Sequence, residues 1–232
     1  MFNDKFGLTK AVLEGKKTQT RRIIPESWLE GLEEFQEEYF NDTLDHIEGK
    51  DLLEQYFLIE QRKKPHFAVG ETLAVAQSYQ TLWETEPDAN VITEASQVEA
   101  YIAKHYPGYT VEQINRCAGW DNKMFVEAKY MPHQIRITNI RLERLQDISE
   151  EDCLKEGIEP WDAAEEYYRD KGVRKSIKEL KASGITPYQI PECWACFTSP
   201  KAAYAHLIDK ISGKGTWDKN PWVFVYDFEL VK

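Results

Sequence analysis

The chain has 232 residues, 42% hydrophobic and 12% aromatic, with a formal net charge of -11 at neutral pH. That apolar content suffices for a packed core and excludes wholesale disorder. The acidity excludes a protein that coats long nucleic acid, which needs many phosphate contacts. No run approaches membrane-spanning length, the N-terminus lacks the apolar region of a secretion signal, and four cysteines (Cys117, Cys153, Cys193, Cys196) are too few for a disulfide framework, so a soluble cytoplasmic protein with no membrane partner is expected.

Gly7 to Leu13 reads as a short helix with Leu8, Ala11 and Val12 inward and Gly15 at its C-terminal cap. The segment that follows, Lys16-Lys-Thr-Gln-Thr-Arg-Arg22, places four cations and two hydroxyls in seven residues of turn and early strand, with no acid among them. Residues 26–60 reverse the sign: twelve acids stand against Lys50 alone, so this stretch carries the whole net charge and the remaining chain is formally neutral. Trp28, Leu32, Phe35 and Tyr39 recur there at helical spacing, which predicts an amphipathic helix with a solvated acidic face.

Val69-Gly70-Glu71 is a turn signal, and Thr72 to Tyr79 reads as a buried strand. From Gln134 to Leu145 two alternating pairs, Ile135 with Ile137 and Ile140 with Leu142, are offset by one residue, which predicts a long strand with a bulge near Asn139. Ser149 caps a helix whose first turn is acidic and which Gly157 closes. Ser199-Pro200 opens another, with Ala203, Leu207, Ile208 and Ile211 on one face. Pro221 to Lys232 alternates as a closing strand, aromatic on the side of Trp222, Phe224, Tyr226 and Phe228. The expected fold class is α+β, a small mixed β-barrel with short helices and helical insertions at about 26–64, 80–122 and 159–198, all within one elaborated domain over residues 1–232.

The basic segment carries the chemistry. Its cations can hold a phosphate or carbonyl oxygen, and each disfavours the charged form of its neighbours, so that a threonine hydroxyl beside a partly neutral lysine becomes a candidate nucleophile and base. A solvated basic turn is the plainer alternative. Cys193-Trp-Ala-Cys196 is a lone CxxC without two further ligands at zinc spacing, so no metal and no cofactor is assigned. The five histidines show no ligand or triad spacing. Ser212-Gly-Lys-Gly215 follows a helix rather than preceding one, so the P-loop pattern is absent, although Lys214 can still approach the site. Trp217 is a candidate base-stacking side chain, and Trp222 reads as core.

In order along the chain, Leu13 to Arg22, Val69-Gly-Glu-Thr-Leu73, Arg141 to Ile158 and Asn220-Pro-Trp-Val-Phe-Val-Tyr-Asp-Phe228 resemble the ASCH domain family of the PUA-like β-barrel superfamily. Leu145 to Asp152 with Gly213-Lys-Gly215 is similar to its phage and prophage branch. The three insertions match nothing in that pattern. The resemblance implies a cleft beside the basic motif and either RNA-related binding or hydrolysis, with a nucleoside or RNA as partner. Small members are amidohydrolases that remove the acetyl group of N4-acetylcytidine with a lysine, a threonine and a glutamate. By motif these fall on Lys17, Thr20 and Glu156, with Lys16, Arg21, Arg22, Lys214 and Trp217 as candidate substrate-binding residues. Thr20 would attack the carbonyl, Lys17 would accept the hydroxyl proton, and Glu156 would orient Lys17 or pass the proton to the leaving amine. A non-catalytic RNA- or nucleotide-binding module and a ribonuclease are the alternatives. In a regular strand Lys17 and Thr20 would point to opposite faces, so the motif must turn for them to meet.

Overall fold

The computed structural model describes residues 2–40, 49–59, 65–78, 81–82, 122–161, 181–184, 186–191, 193 and 195–231, with single positions at 108, 113 and 179. Nearly all of the expected insertion at 80–122 and about half of that at 159–198 lie outside them. Among the described residues, six α-helices are α1 (Leu8–Leu13), α2 (Leu32–Phe40), α3 (Gly49–Ile59), α4 (Glu150–Lys155), α5 (Pro200–Ser212) and α6 (Thr216–Lys219). The strands among them are β1 (Gln19–Ile23), β2 (Thr72–Ala74), β3 (Gln134–Arg144), β4 (Glu159–Pro160), β5 (Tyr188–Gln189) and β6 (Trp222–Leu230). The result is mixed helix and sheet. Its centre is a curled antiparallel half-barrel in the order β1-β6-β3-β2, with β4 and β5 forming a separate pair. Contacts divide the chain into two compact units, one of Asn3–Glu71 with Arg136–Glu229, the other of Met1–Phe2, Thr72–Ile135 and Leu230–Lys232.

Strand β6 is flanked on both sides, and its composition shows it. Val223 and Val225 on one face and Phe224, Tyr226 and Phe228 on the other are all buried, as a central strand requires. The bulge expected in β3 accounts for its register. Val231 N donates to Gln134 O at one end and Leu145 N to Pro221 O at the other, eleven residues apart on β3 but ten on β6. One extra residue in β3 absorbs the difference.

Two expectations are corrected. The strand predicted over Thr72 to Tyr79 ends at Ala74: Val75 N still reaches His133 O, but Gln77 N turns to the Met131 sulfur, and the ladder stops. Ile211, expected on the inner face of α5, is exposed, because it falls in the last turn, beyond the buried stripe Ala203, Tyr204, Leu207 and Ile208.

The acidic segment is two helices rather than one. Gly31 at φ +86° separates α2 from a 3-10 turn at Glu26–Trp28, so Trp28 leaves the helical stripe. In α3, Leu52, Leu53, Tyr56 and Phe57 form a buried stripe at helical spacing, while Glu34, Glu37, Glu38, Asp51 and Glu54 face solvent. Phe57 packs on Phe224 of β6 with ring centroids 5.3 Å apart, and Phe35 meets Tyr56 at 5.1 Å. This segment therefore covers the aromatic side of the half-barrel. Phe57→Ala should lower stability by about 3–5 kcal/mol, measured by urea unfolding, whereas Glu37→Ala should stay within about 0.5 kcal/mol. Equal small effects would mean that α3 rests on the sheet without contributing to its core.

Candidate active site

Lys17 is placed by the turn that ends α1. Gly15 at φ +70° reverses the chain, Lys16 N and Lys17 N both donate to Ala11 O, and Thr18 N donates to Lys155 O beside the end of α4. The turn delivers the Lys17 side chain to the interior, where it is 2% exposed. Its Nζ donates to Glu156 Oε2 at 2.5 Å, to Glu156 O at 2.8 Å and to Gln19 O at 2.7 Å, an acceptor for each ammonium proton. Glu156 is the C-cap of α4 and is likewise buried. Gly157 makes the approach feasible: at φ +99°, a Cβ there would sit 3.3 Å from Leu8 Cδ2 and 3.7 Å from Lys17 Cβ.

Strand β1 then sorts its residues by parity. Gln19 and Arg21 face the buried carboxylate, while Thr20 and Arg22 lie opposite Tyr226 and Phe224 on the aromatic face. Arg21 Nη1 donates to Glu156 Oε1 at 3.0 Å and to Gln19 Oε1 at 2.5 Å. Its other nitrogens take Glu143 Oε1, at 2.6 and 2.7 Å, and Asp152 Oδ2 at 3.3 Å. The network runs outward from there. Gln19 Nε2 donates to Asp227 Oδ1 at 2.6 Å, and Arg141 bridges Asp227 and Asp152, at 2.7 Å to each. The Tyr204 ring lies 5.8 Å from the Arg21 guanidinium, and its buried hydroxyl has no hydrogen-bond partner among the described residues.

The other candidates separate. Thr20 is not on the Lys17–Glu156 side of β1: the motif turns before the strand, at Lys17, and regular pleating carries Thr20 to the opposite face. Arg21, nominated for substrate, is instead held by three carboxylates inside the protein. Lys16 is half-exposed between Glu14 at 2.8 Å and Glu159 at 3.0 Å, on the rim of a cavity of about 190 Å³ also lined by Lys10 and Gln189. Arg22 is half-buried on the aromatic face. Lys214 is exposed in the turn after α5, and Trp217 lies edge-on to Tyr204 at 6.2 Å, one ring removed from Arg21. Trp222, read as core, is partly exposed with Arg144 4.3 Å over its ring.

Gln19, Glu143, Arg141, Asp152 and Asp227 were not singled out from sequence. The signal was present: Asn139, Arg141 and Glu143 repeat at period two on β3, as do Gln19 and Arg21 on β1, a polar row on one face of a sheet. Among the described residues no group of His, Cys, Asp and Glu is arranged to hold a metal, and no helix is long and apolar enough to cross a membrane.

Burial drives the Lys17 amine below the ordinary lysine range; Glu156 opposes this, and Arg22 and Arg21 reinforce it. Burial also pushes the Cys153 thiol, near the same cluster, up to about 12, which removes it as a nucleophile. Burial works against the Asp152 charge, but Lys155, Arg141 and Arg21 hold its carboxyl below the usual range.

No family model matches the chain, and neither a curated protein nor a solved structure is significantly similar to it.

Two consequences follow for stability. Lys17→Met leaves Glu156 bonded to Arg21, so it should cost less than the ~3–5 kcal/mol of breaking a buried pair. Glu156→Leu removes the carboxylate shared by two buried cations and leaves Lys17 with carbonyl acceptors alone, so it should cost at least that much by urea unfolding. Because the Lys17 pKa is lowered in the folded state, the unfolded chain binds more protons up to the ordinary lysine value of ~10.4. Stability should therefore gain a rising contribution as pH climbs toward that value, and Lys17→Met should remove it.

Proposed function

We propose that the chain is an ASCH-type, PUA-like module that hydrolyses an amide on a modified nucleoside or RNA base, with N4-acetylcytidine as the type substrate. The observation that carries this reading is the buried Lys17–Glu156 contact, made across 139 residues of sequence by a lysine whose charge is disfavoured by burial. A buried amine and carboxylate 2.5 Å apart can hold a shared proton on either partner, the property that general acid–base catalysis of acyl transfer uses. In this reading the neutral amine of Lys17 takes a proton from the attacking hydroxyl, a C–O bond forms at the acetyl carbon, and the C–N bond breaks as the exocyclic amine receives a proton through Glu156. Water is the nucleophile that suits the geometry, since Thr20 faces away.

The charges also weigh against a simple phosphate-binding patch. Lys16, Lys17 and Arg21, three of the four cations in the motif, are already opposed by carboxylates of the protein. One observation favours a second reading, a non-catalytic RNA- or nucleotide-binding module. Half-buried Thr20 and Arg22 lie on the aromatic face, where Phe67, itself only half-buried, packs on the buried Tyr226 at 5.4 Å and is the ring on which a base can stack.

Incubation with N4-acetylcytidine, with cytidine release followed by chromatography, tests the proposal. Lys17→Met should lower the rate by about 10² to 10⁴ with little change in substrate binding. The wild-type rate should rise with pH through the lowered Lys17 pKa, and that inflection should vanish in Lys17→Met. Thr20→Ala decides the nucleophile: a comparable loss returns the role to Thr20, and a small one leaves it with water. No turnover of acylated nucleosides, alongside RNA affinity that survives Thr20→Ala, would establish the binding reading instead.

A further inference from the structure

The Glu156 carboxylate is divided between two cations, with Oε2 on Lys17 and Oε1 on Arg21. Arg21 cannot turn away from it. Gln19 Oε1 and Glu143 Oε1 accept from its guanidinium, Asp152 takes a third contact, and the Tyr204 ring lies beside it. The Gln19 amide has one orientation that satisfies both of its ends: Nε2 toward Asp227 Oδ1 and Oε1 toward Arg21 Nη1. Asp227 is itself held by Arg141 at 2.7 Å and by Asn139 at 3.1 Å. The chain of contacts Asp227–Gln19–Arg21–Glu156 thus runs from the partly exposed end of the polar face to the buried amine.

We infer that Gln19 and Arg21 are positioning residues, which fix how Glu156 presents its carboxylate to Lys17 and so set how that carboxylate and amine share a proton. The inference deepens the hydrolytic reading but stands on contacts that exist without substrate. Its physical basis is competition for one anion. A carboxylate whose second oxygen is bonded to a fixed guanidinium is a weaker partner for an ammonium than one left free, and the guanidinium adds like-charge repulsion of its own. The groups that bear on Lys17 are Glu156 from the end of α4 and Arg21 and Arg22 from β1. Tyr204 from α5 and Glu143 from β3 act on Arg21, as do Asp152 and Cys153 from α4. Within this set Arg21 is the residue that touches the carboxylate shared with Lys17. A phosphate or substrate contact for Arg21 is not required.

The test is a pH titration of the Lys17 side-chain 13Cε resonance in the full chain, assigned by its loss in Lys17→Met. Arg21→Gln should move the midpoint upward by about one unit or more, since it frees Glu156 and removes the repelling charge. Arg21→Lys keeps the charge but cannot span Gln19, Glu143 and Glu156 with one ammonium, so it should also move the midpoint upward, by less. Gln19→Leu, which leaves every charge in place, should shift it in the same direction as Arg21→Lys. Midpoints unchanged in the folded Arg21→Lys and Gln19→Leu variants, with only a lower melting temperature, would reduce both residues to structural roles and overturn the inference. If acylated nucleosides are not turned over, the proposed reaction fails while this titration still decides the positioning role. If they are, the acidic limb of the rate profile should move with the same midpoints.

Discussion

The structure depends on burying one carboxylate between two cations. Taking three charges out of water is costly, and mutual attraction repays the cost only when the remaining protons and lone pairs are satisfied. Here they are. The three protons of Lys17 have three acceptors, and the Arg21 fork is met by Glu156, Gln19, Glu143 and Asp152. That completeness requires α4, β1 and β3 to arrive together, since each supplies at least one partner, and β6 adds Asp227, which holds the Gln19 amide. A sheet slipped by one residue would turn Gln19 and Arg21 to the aromatic face and leave Glu156 buried with half its partners. The cluster therefore favours one register strongly, whatever it adds to net stability.

The same constraint explains why the two faces of β1 and β6 differ in kind. On the polar face, short strands bring Arg21, Gln19 and Asp227 beside the carboxylates and Arg141. On the other, Phe224 and Tyr226 are covered by aromatic residues from the acidic segment and from the loop after it, with Phe57 and Phe67 in direct ring contact. A chain with such an acidic stretch still presents no acid to the aromatic face from the described turns of α2 and α3, because helical periodicity sends every described glutamate there to solvent. Charge and core are separated by angle around the helix, not by distance along the chain.

Legibility from sequence followed the range of the interactions. Short-range rules placed α1 and its Gly15 reversal, the Ser149 cap of α4, the Ser199-Pro200 start of α5, the β3 offset and the alternation of β6, since each is decided within a few residues. The pairing of Lys17 with Glu156 was reachable only through the family resemblance, as nothing local links residues 139 apart. The displacement of Thr20 could be foreseen from pleating, but whether the motif turned at Lys17 or within the strand could not. The burial of Arg21 was the hardest to read. A cation in a basic cluster looks like a ligand for something external, and only the fold reveals that Glu143 of β3 and Asp152 and Glu156 of α4 and its cap converge on it.

This changes what the basic motif means. Four cations in seven residues of an acidic chain suggest a patch waiting for phosphate, yet the fold provides the anions itself, and it does so unequally. Lys16 is met at the surface, where solvent screens the pair and little energy is at stake. Lys17 and Arg21 are met in the interior, where a missing partner is expensive. The motif thus divides into an outer cation that can exchange its partners for a ligand and an inner pair that cannot do so without the fold yielding. The inner pair is thereby closed to capture of an external anion, whereas a proton is the one charge that can move through a closed set of hydrogen bonds without opening it.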